Sequence, residues 1–375
     1  MKSILLTTTA LVAFAGAAVA DGHTGVSFSG TANLGYNDEA NTAAGADDYN
    51  GFYFDTTLTV KGATELDNGV TASAQFNIDI QEDGLGSANS VADGNTALNA
   101  DDFVMALSTE SATLTFGDTA TAAGKMWVSA GDMESDGFTT AAFDAAEADA
   151  VLRGDVTMGD VSASVSYVIV TTGTEQEIDQ LSFGVKAAVA GVTISAAYEE
   201  ATTKQTELDD ANNDEIFGLS VGFAAAGANF TVAYAEDENS QSTGVKASMP
   251  VGPVTVTGYY VDENAGNGDA NLGVNVKYSA DALTVAVDYQ DDQGTTKVGI
   301  DGSYDLGNGL TILAGAFDQE TQGTDTYVAA AYDLGGGAAL LVSYADAETT
   351  DALADDEVGG PDYQVGTTVA VSFKF

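Results

Sequence analysis

The 375-residue sequence contains no cysteine, one histidine, one tryptophan and three prolines, and only 10 lysine and arginine residues stand against 57 aspartates and glutamates. Without cysteine there is no disulfide framework, no thiolate metal site and no cysteine nucleophile. The lone histidine, His23, leaves no imidazole set for a metal, a triad or a proton shuttle. A net charge of −47 repels phosphates and argues against any nucleic-acid partner. Long apolar runs are missing as well. Past residue 20, nothing approaches the roughly 18–20 apolar residues that a membrane helix needs. If this chain crosses a membrane, it does so in strands.

What is present begins with a leader. Residues 1–20, MKSILLTTTALVAFAGAAVA, carry Lys2, an apolar stretch and the small-x-small ending Ala18-Val19-Ala20. The pattern predicts a secretory signal peptide, removed after Ala20, with residues 21–375 as the exported domain. Export without cysteine fits a bacterial periplasm, outer membrane or medium.

The strongest signal is a period of two. Phe52, Phe54, Leu58 and Val60 fall on one face, against Tyr53, Asp55, Thr57, Thr59 and Lys61 on the other. Residues 69–81 repeat this, with Val70, Ala72, Ala74, Phe76, Ile78 and Ile80 on one side. Near the C-terminus Tyr363, Val365, Val369, Val371, Phe373 and Phe375 form the apolar stripe. By the same parity Lys61, Arg153, Lys186, Lys246, Lys277, Lys297 and Lys374 all lie on polar faces, with Lys125 and Lys204 in loops. The stretches 304–319 and 327–344 alternate poorly.

The connections are asymmetric. Short links such as Met158-Gly159-Asp160, Ala190-Gly191, Ala226-Gly227 and Ala280-Asp281 join successive strands, while acidic segments near 37–48, 81–101, 119–150, 202–213 and 347–360 separate the pairs. An aromatic followed by an acid recurs from hairpin to hairpin: Tyr198, Tyr234, Tyr260, Tyr289, Phe317 and Tyr344. Tight turns at one end, long polar loops at the other and a ring of aromatics predict an all-β fold, a transmembrane antiparallel β-barrel with periplasmic turns and external loops. Nine short turns imply twenty strands. The first and last strands must pair, since lipid offers an open edge no partners.

At Gly25–Tyr36 (GVSFSGTANLGY), Leu114-Thr-Phe-Gly117-Asp118, Ala331-Tyr-Asp-Leu-Gly-Gly-Gly-Ala338 and Val371-Ser-Phe-Lys-Phe375, the chain resembles the general diffusion porins of alphaproteobacteria, the Rhodobacter type. That resemblance implies a sixteen-stranded barrel in the outer membrane that forms homotrimers among lipid and lipopolysaccharide. It would pass small hydrophilic solutes and inorganic ions by passive diffusion, with no cofactor and no enzymatic step. It also implies that the third external loop, 119–149, folds into the barrel. Asp132, Glu134, Asp136, Asp144, Glu147 and Asp149 on that loop would then face Lys61, Arg153 and Lys186 on the wall, setting a field across the narrow opening.

The acidity predicts cation selectivity. Asp47-Asp48, Asp101-Asp102, Asp209-Asp210 and Asp355-Asp356 offer hard oxygens to loop-bound Ca²⁺, though none has a calcium-loop spacing. Gly117 to Lys125 is no phosphate loop, because the spacing is too long and Met126 stands where Ser or Thr is required. The competing reading is a structural or adhesive surface protein, outer-membrane or secreted, acidic and rich in strands.

Overall fold

The computed structural model describes residues 24–38, 51–81, 97–138, 150–172, 175–201, 215–264, 270–320, 323–347 and 363–375. The predicted leader, His23 and the pairs Asp47-Asp48, Asp209-Asp210 and Asp355-Asp356 lie outside them.

The described residues build a single antiparallel sheet of twenty strands. In chain order these are β1 (Thr24–Asn37), β2 (Phe52–Glu65), β3 (Thr71–Gln81), β4 (Ala97–Ser108), β5 (Ala112–Gly117), β6 (Ala150–Met158), β7 (Val161–Thr172), β8 (Glu175–Val189), β9 (Val192–Glu199) and β10 (Ile216–Ala225). Then follow β11 (Ala228–Glu236), β12 (Gln241–Val251), β13 (Val254–Glu263), β14 (Asn271–Ala280), β15 (Leu283–Asp292), β16 (Thr295–Gly307), β17 (Leu310–Gln319), β18 (Gly323–Gly335), β19 (Ala338–Asp346) and β20 (Gly366–Lys374). Each strand pairs with the next, and β20 returns to β1, with Asn33 opposite Ser372 and Tyr36 opposite Val369. The barrel is closed. Its strand number is the twenty counted from the turns, four more than the resemblance implied.

The turn end is uniform: nine links of two to five residues. The other end is less uniform than the sequence suggested, because β15 and β16 are joined there by Gln293-Gly294 alone. Local register shifts occur at Gln75/Asn77, Tyr167/Val168, Asp305/Gly307 and Asp333/Gly335, where an extra residue bends one strand.

Alternation sorts the side chains. Val26, Phe28, Met105, Leu107, Val274, Val276, Val298 and Ile300 are exposed on the outer face, the apolar band that lipid would cover. The bases sit one residue out of phase with that band. Arg153 follows outward Leu152, Lys186 follows Val185, Lys246 follows Val245, Lys277 follows Val276, Lys297 precedes Val298 and Lys374 follows Phe373. All therefore face the lumen, where polar pairs run between strands. Asn33 donates to Asp55 at 2.9 Å, and Thr59 Oγ1 donates to Asn77 Oδ1 at 2.8 Å.

Two aromatics depart from the expected pattern. Tyr260, Tyr289 and Tyr344 are exposed on the outer face as the aromatic ring requires, but Phe317 points inward and is only 6% exposed. It pairs with Gly299, whose neighbours Val298 and Ile300 face outward. Tyr363 does not join the outer stripe of β20 either. The strand begins at Gly366, whose φ of +91° turns the chain, so the parity of Val369 and Phe373 does not extend back to it.

Candidate functional site

The segment after β5 enters the barrel and lies along its inner wall. Asp118 closes the strand end by donating its N–H to Phe103 O at 2.8 Å. The Arg153 guanidinium then grips the chain, donating to Thr119 Oγ1 at 2.8 Å and to the carbonyl of Ala120. Thr121 caps a single-turn helix, α1 (Ala122–Met126), by accepting from Gly124 N–H and donating to Glu199. So short a helix has no stability of its own. The wall supplies it: Ala122 N–H donates to Ser166 Oγ and Ala123 N–H to Ser182 Oγ, both at 2.8 Å. Donors left orphaned at a helix start are thus satisfied by serines of β7 and β8.

Close approach needs small residues beneath. A Cβ on Gly184 of β8 would lie 2.4 Å from the carbonyl of Ala122, and one on Gly218 of β10 would lie 2.4 Å from the Trp127 ring. Trp127 rests there against Phe138, ring centroids 5.2 Å apart, over Ala197 and Ile216. Farther on, Ala130 and Met133 pack on Ala233, Ala235 and Val261. Gly131, at φ +122°, passes over the ring of Tyr259.

The loop reaches its far end at β12 to β15. Glu134 N–H donates to Glu263 Oε1 at 3.1 Å and Ser135 N–H to Ser242 Oγ at 3.0 Å. Asn271 Nδ2 donates to the Asp132 carbonyl at 3.0 Å and to Glu134 Oε1 at 3.2 Å. Carboxylate oxygens of Asp132, Glu134 and Asp292 lie within 4.8 Å of one another, close enough for one divalent cation to touch all three. Asp292 also holds Lys297 at 3.1 Å.

Of the predicted site residues, Asp132, Glu134 and Asp136 stand on this inward loop, whereas Asp144, Glu147 and Asp149 fall outside the described residues. Arg153 and Lys125 meet at Asp155, at 3.2 and 2.9 Å, beside α1, while Lys186 lies on β8 two residues past Gly184, over which the helix runs. Lys61 does not join them, since β2 is four strands away from β6. Within this constellation bases gather at the loop's start and carboxylates at its end, separated along the wall. Sequence reasoning missed Ser166, Ser182, Ser242, Tyr259, Glu263, Asn271 and Asp292. The signal for them was a run of small lumen-facing residues on β7 to β10 and β12, Ser166, Ser182, Gly184, Ser195, Ala197, Gly218, Ser220, Ser242 and Gly244.

Burial perturbs two carboxyls of the loop. Asp136 is pushed above the ordinary carboxylate value by burial, against the opposing hydrogen bonds of Trp127 and Ser129. Asp118 is pushed up to about 6, first by burial and then by the hydrogen bond and charge of Asp102. Asp102, of the pair Asp101-Asp102, also accepts from Asn77 Nδ2 at 2.5 Å.

The sequence model of the Gram-negative porin family matches residues 7–352. The chain belongs to that family. This porin therefore sits in the outer membrane, and its barrel is that of a channel class. Among solved structures, a triple mutant of the Rhodopseudomonas blastica porin aligns at 16% identity over 74% of this chain and 98% of its own, with a TM-score of 0.49. Another mutant of that porin aligns at 15% identity over 94% and 100%, with a TM-score of 0.46. No curated protein sequence matches the porin.

Proposed function

We propose that the porin is a water-filled diffusion channel for small hydrophilic solutes and ions, that it favours cations, and that it works as a homotrimer. The loop 118–138, held against β7–β15, is the constriction. Asp132, Glu134 and Asp136, with Glu263 and Asp292 beside them, line its acidic side, and Lys125, Arg153 and Lys186 form the basic patch at its start. The single observation that carries the selectivity is this acidic end, where five carboxylates gather and, among the described residues, a base touches them at Asp292 alone, from Lys297. In a narrow opening with low-dielectric walls such clustering concentrates cations and repels anions. At the basic patch, by contrast, Lys125 and Arg153 spend their charge on a shared partner, Asp155. The trimer follows from the family resemblance of the sequence.

Purified porin in a planar bilayer under a KCl gradient tests both points. Reversal potentials of the sign for potassium preference, with conductance steps in threes, are expected. Chloride preference would overturn the selectivity, and single independent steps would overturn the trimer.

A further inference from the structure

The wall that the described part of the inward loop leaves bare carries apolar side chains on its lumen face. Phe317 of β17, Tyr327 of β18 and Ala345 of β19 form a buried cluster on which Leu313 and Tyr363 pack. Their direction is fixed by pairing. Tyr327 stands opposite Gly315 and Ala345, while its neighbour Val328 and the adjacent Tyr344 face outward. These inward apolar residues also explain why 304–319 and 327–344 alternate poorly, since both faces of the wall are apolar there.

A barrel interior is ordinarily polar, and aromatic rings facing water there lose their hydrophobic stabilisation unless something covers them. The inward loop does not: among the described residues its hydrogen bonds and packing contacts run from β4 and β6 to β14, and its carboxylates reach β15. Yet Tyr327 is only 8% exposed. The ring over it is Tyr363, with centroids 4.8 Å apart, and Phe317 lies beside Tyr327 at 6.1 Å. Gly315 makes the room, because a Cβ there would sit 2.4 Å from the Tyr327 ring.

The chain around Tyr363 is pinned. Asn37, fully buried, donates from Nδ2 to the Val365 carbonyl at 2.9 Å and to Thr368 Oγ1 at 2.8 Å. Asp38 and Thr367 exchange two bonds: Thr367 N–H donates to Asp38 Oδ1 at 2.5 Å and Asp38 N–H to the Thr367 carbonyl at 3.2 Å. The level matches that of the loop. Phe317 lies two residues from the end of β17, and the loop touches Ser242 and Asn271 at the starts of β12 and β14. The direction is opposite: α1 lies on β7–β9 and the aromatic cluster on β17–β19, and β8 and β18 are ten strands apart in a ring of twenty.

We propose that Tyr363 is a second pore-setting residue, narrowing the loop-side mouth from the wall opposite the constriction loop and helping to fix the size of solute admitted. This rests on the reading of the porin as a diffusion channel. Solutes enter between two inward ledges, the constriction loop and the aromatic cluster, and removing the aromatic one widens the passage.

Single-channel recording and liposome swelling test the assignment. Tyr363→Ala is expected to raise single-channel conductance above the wild-type value, because a wider aqueous passage carries more current, and to speed entry of the larger sugars. Tyr363→Phe keeps the ring and retains wild-type values. Should Tyr363→Ala fail to insert, Tyr363→Leu covers Tyr327 with less volume and gives a smaller rise in the same direction. Wild-type conductance in Tyr363→Ala or Tyr363→Leu, beside a conducting wild type, overturns the role of Tyr363 alone. A wild type that forms no channel overturns the diffusion reading with it.

Discussion

Trp127, the one tryptophan of the sequence, donates its Nε1–H to Asp136 Oδ2 at 2.9 Å. It is thus a built-in probe of the constriction loop. Because burial raises Asp136 above its ordinary value of 3.8, the docked loop binds a proton more readily than the undocked one. The neutral carboxyl's contribution to docking is therefore complete below pH 3.8 and is lost as pH rises through the docked value. Raising pH past that point leaves a desolvated negative charge beside Glu134 and Glu263. Tryptophan emission is expected to change in a window above pH 3.8, and Asp136→Asn is expected to flatten it. A transition at or below pH 3.8, or one that the substitution leaves in place, would contradict the coupling.

At the scale of the element, α1 borrows its stability from two serines. Removing one acceptor by Ser182→Ala leaves the N–H of Ala123, itself fully buried, without a partner, a loss of about 1–3 kcal/mol. The expected result is a loosened loop, with noisier single-channel current and a red-shifted Trp127. Ser166→Ala is expected to act alike through Ala122. Unaltered current and emission in both variants would show that packing alone seats the helix. These contacts mark the limit of what the sequence made legible. Barrel class, closure, strand count and the inward direction of Arg153 and Lys186 followed from alternation and turn spacing, which are local. The seat of the loop did not, because it joins residues up to 139 positions apart, as Asn271 and Asp132 are. A lumen-facing serine or glycine looks the same in sequence whether water or a loop lies over it. Phe317 and Tyr363 were misplaced for a related reason. Parity assigns a face only within a strand of known extent whose two faces differ, and here the strand starts late and both faces are apolar.

At the scale of the whole molecule the governing quantity is charge, 57 acids against 10 bases. Two sources of selectivity respond differently to salt. Acids spread over the mouth act through water and are screened over about 30 Å at 0.01 M but about 3 Å at 1 M ionic strength. The converging carboxylates of the constriction, with Asp132, Glu134 and Asp292 within 4.8 Å of one another, act on an ion that touches them, and partly buried charges in such contact are screened much less. Potassium preference is therefore expected to be strong in dilute KCl, to fall as the diffuse field is screened, and to level off above unity where only the constriction acts. Neutralising the set as Asp132→Asn, Glu134→Gln and Asp292→Asn is expected to remove that plateau while sparing the dilute-salt preference. If preference instead vanishes fully in concentrated KCl with the carboxylates intact, selectivity belongs to the mouth, and the constriction sets size alone.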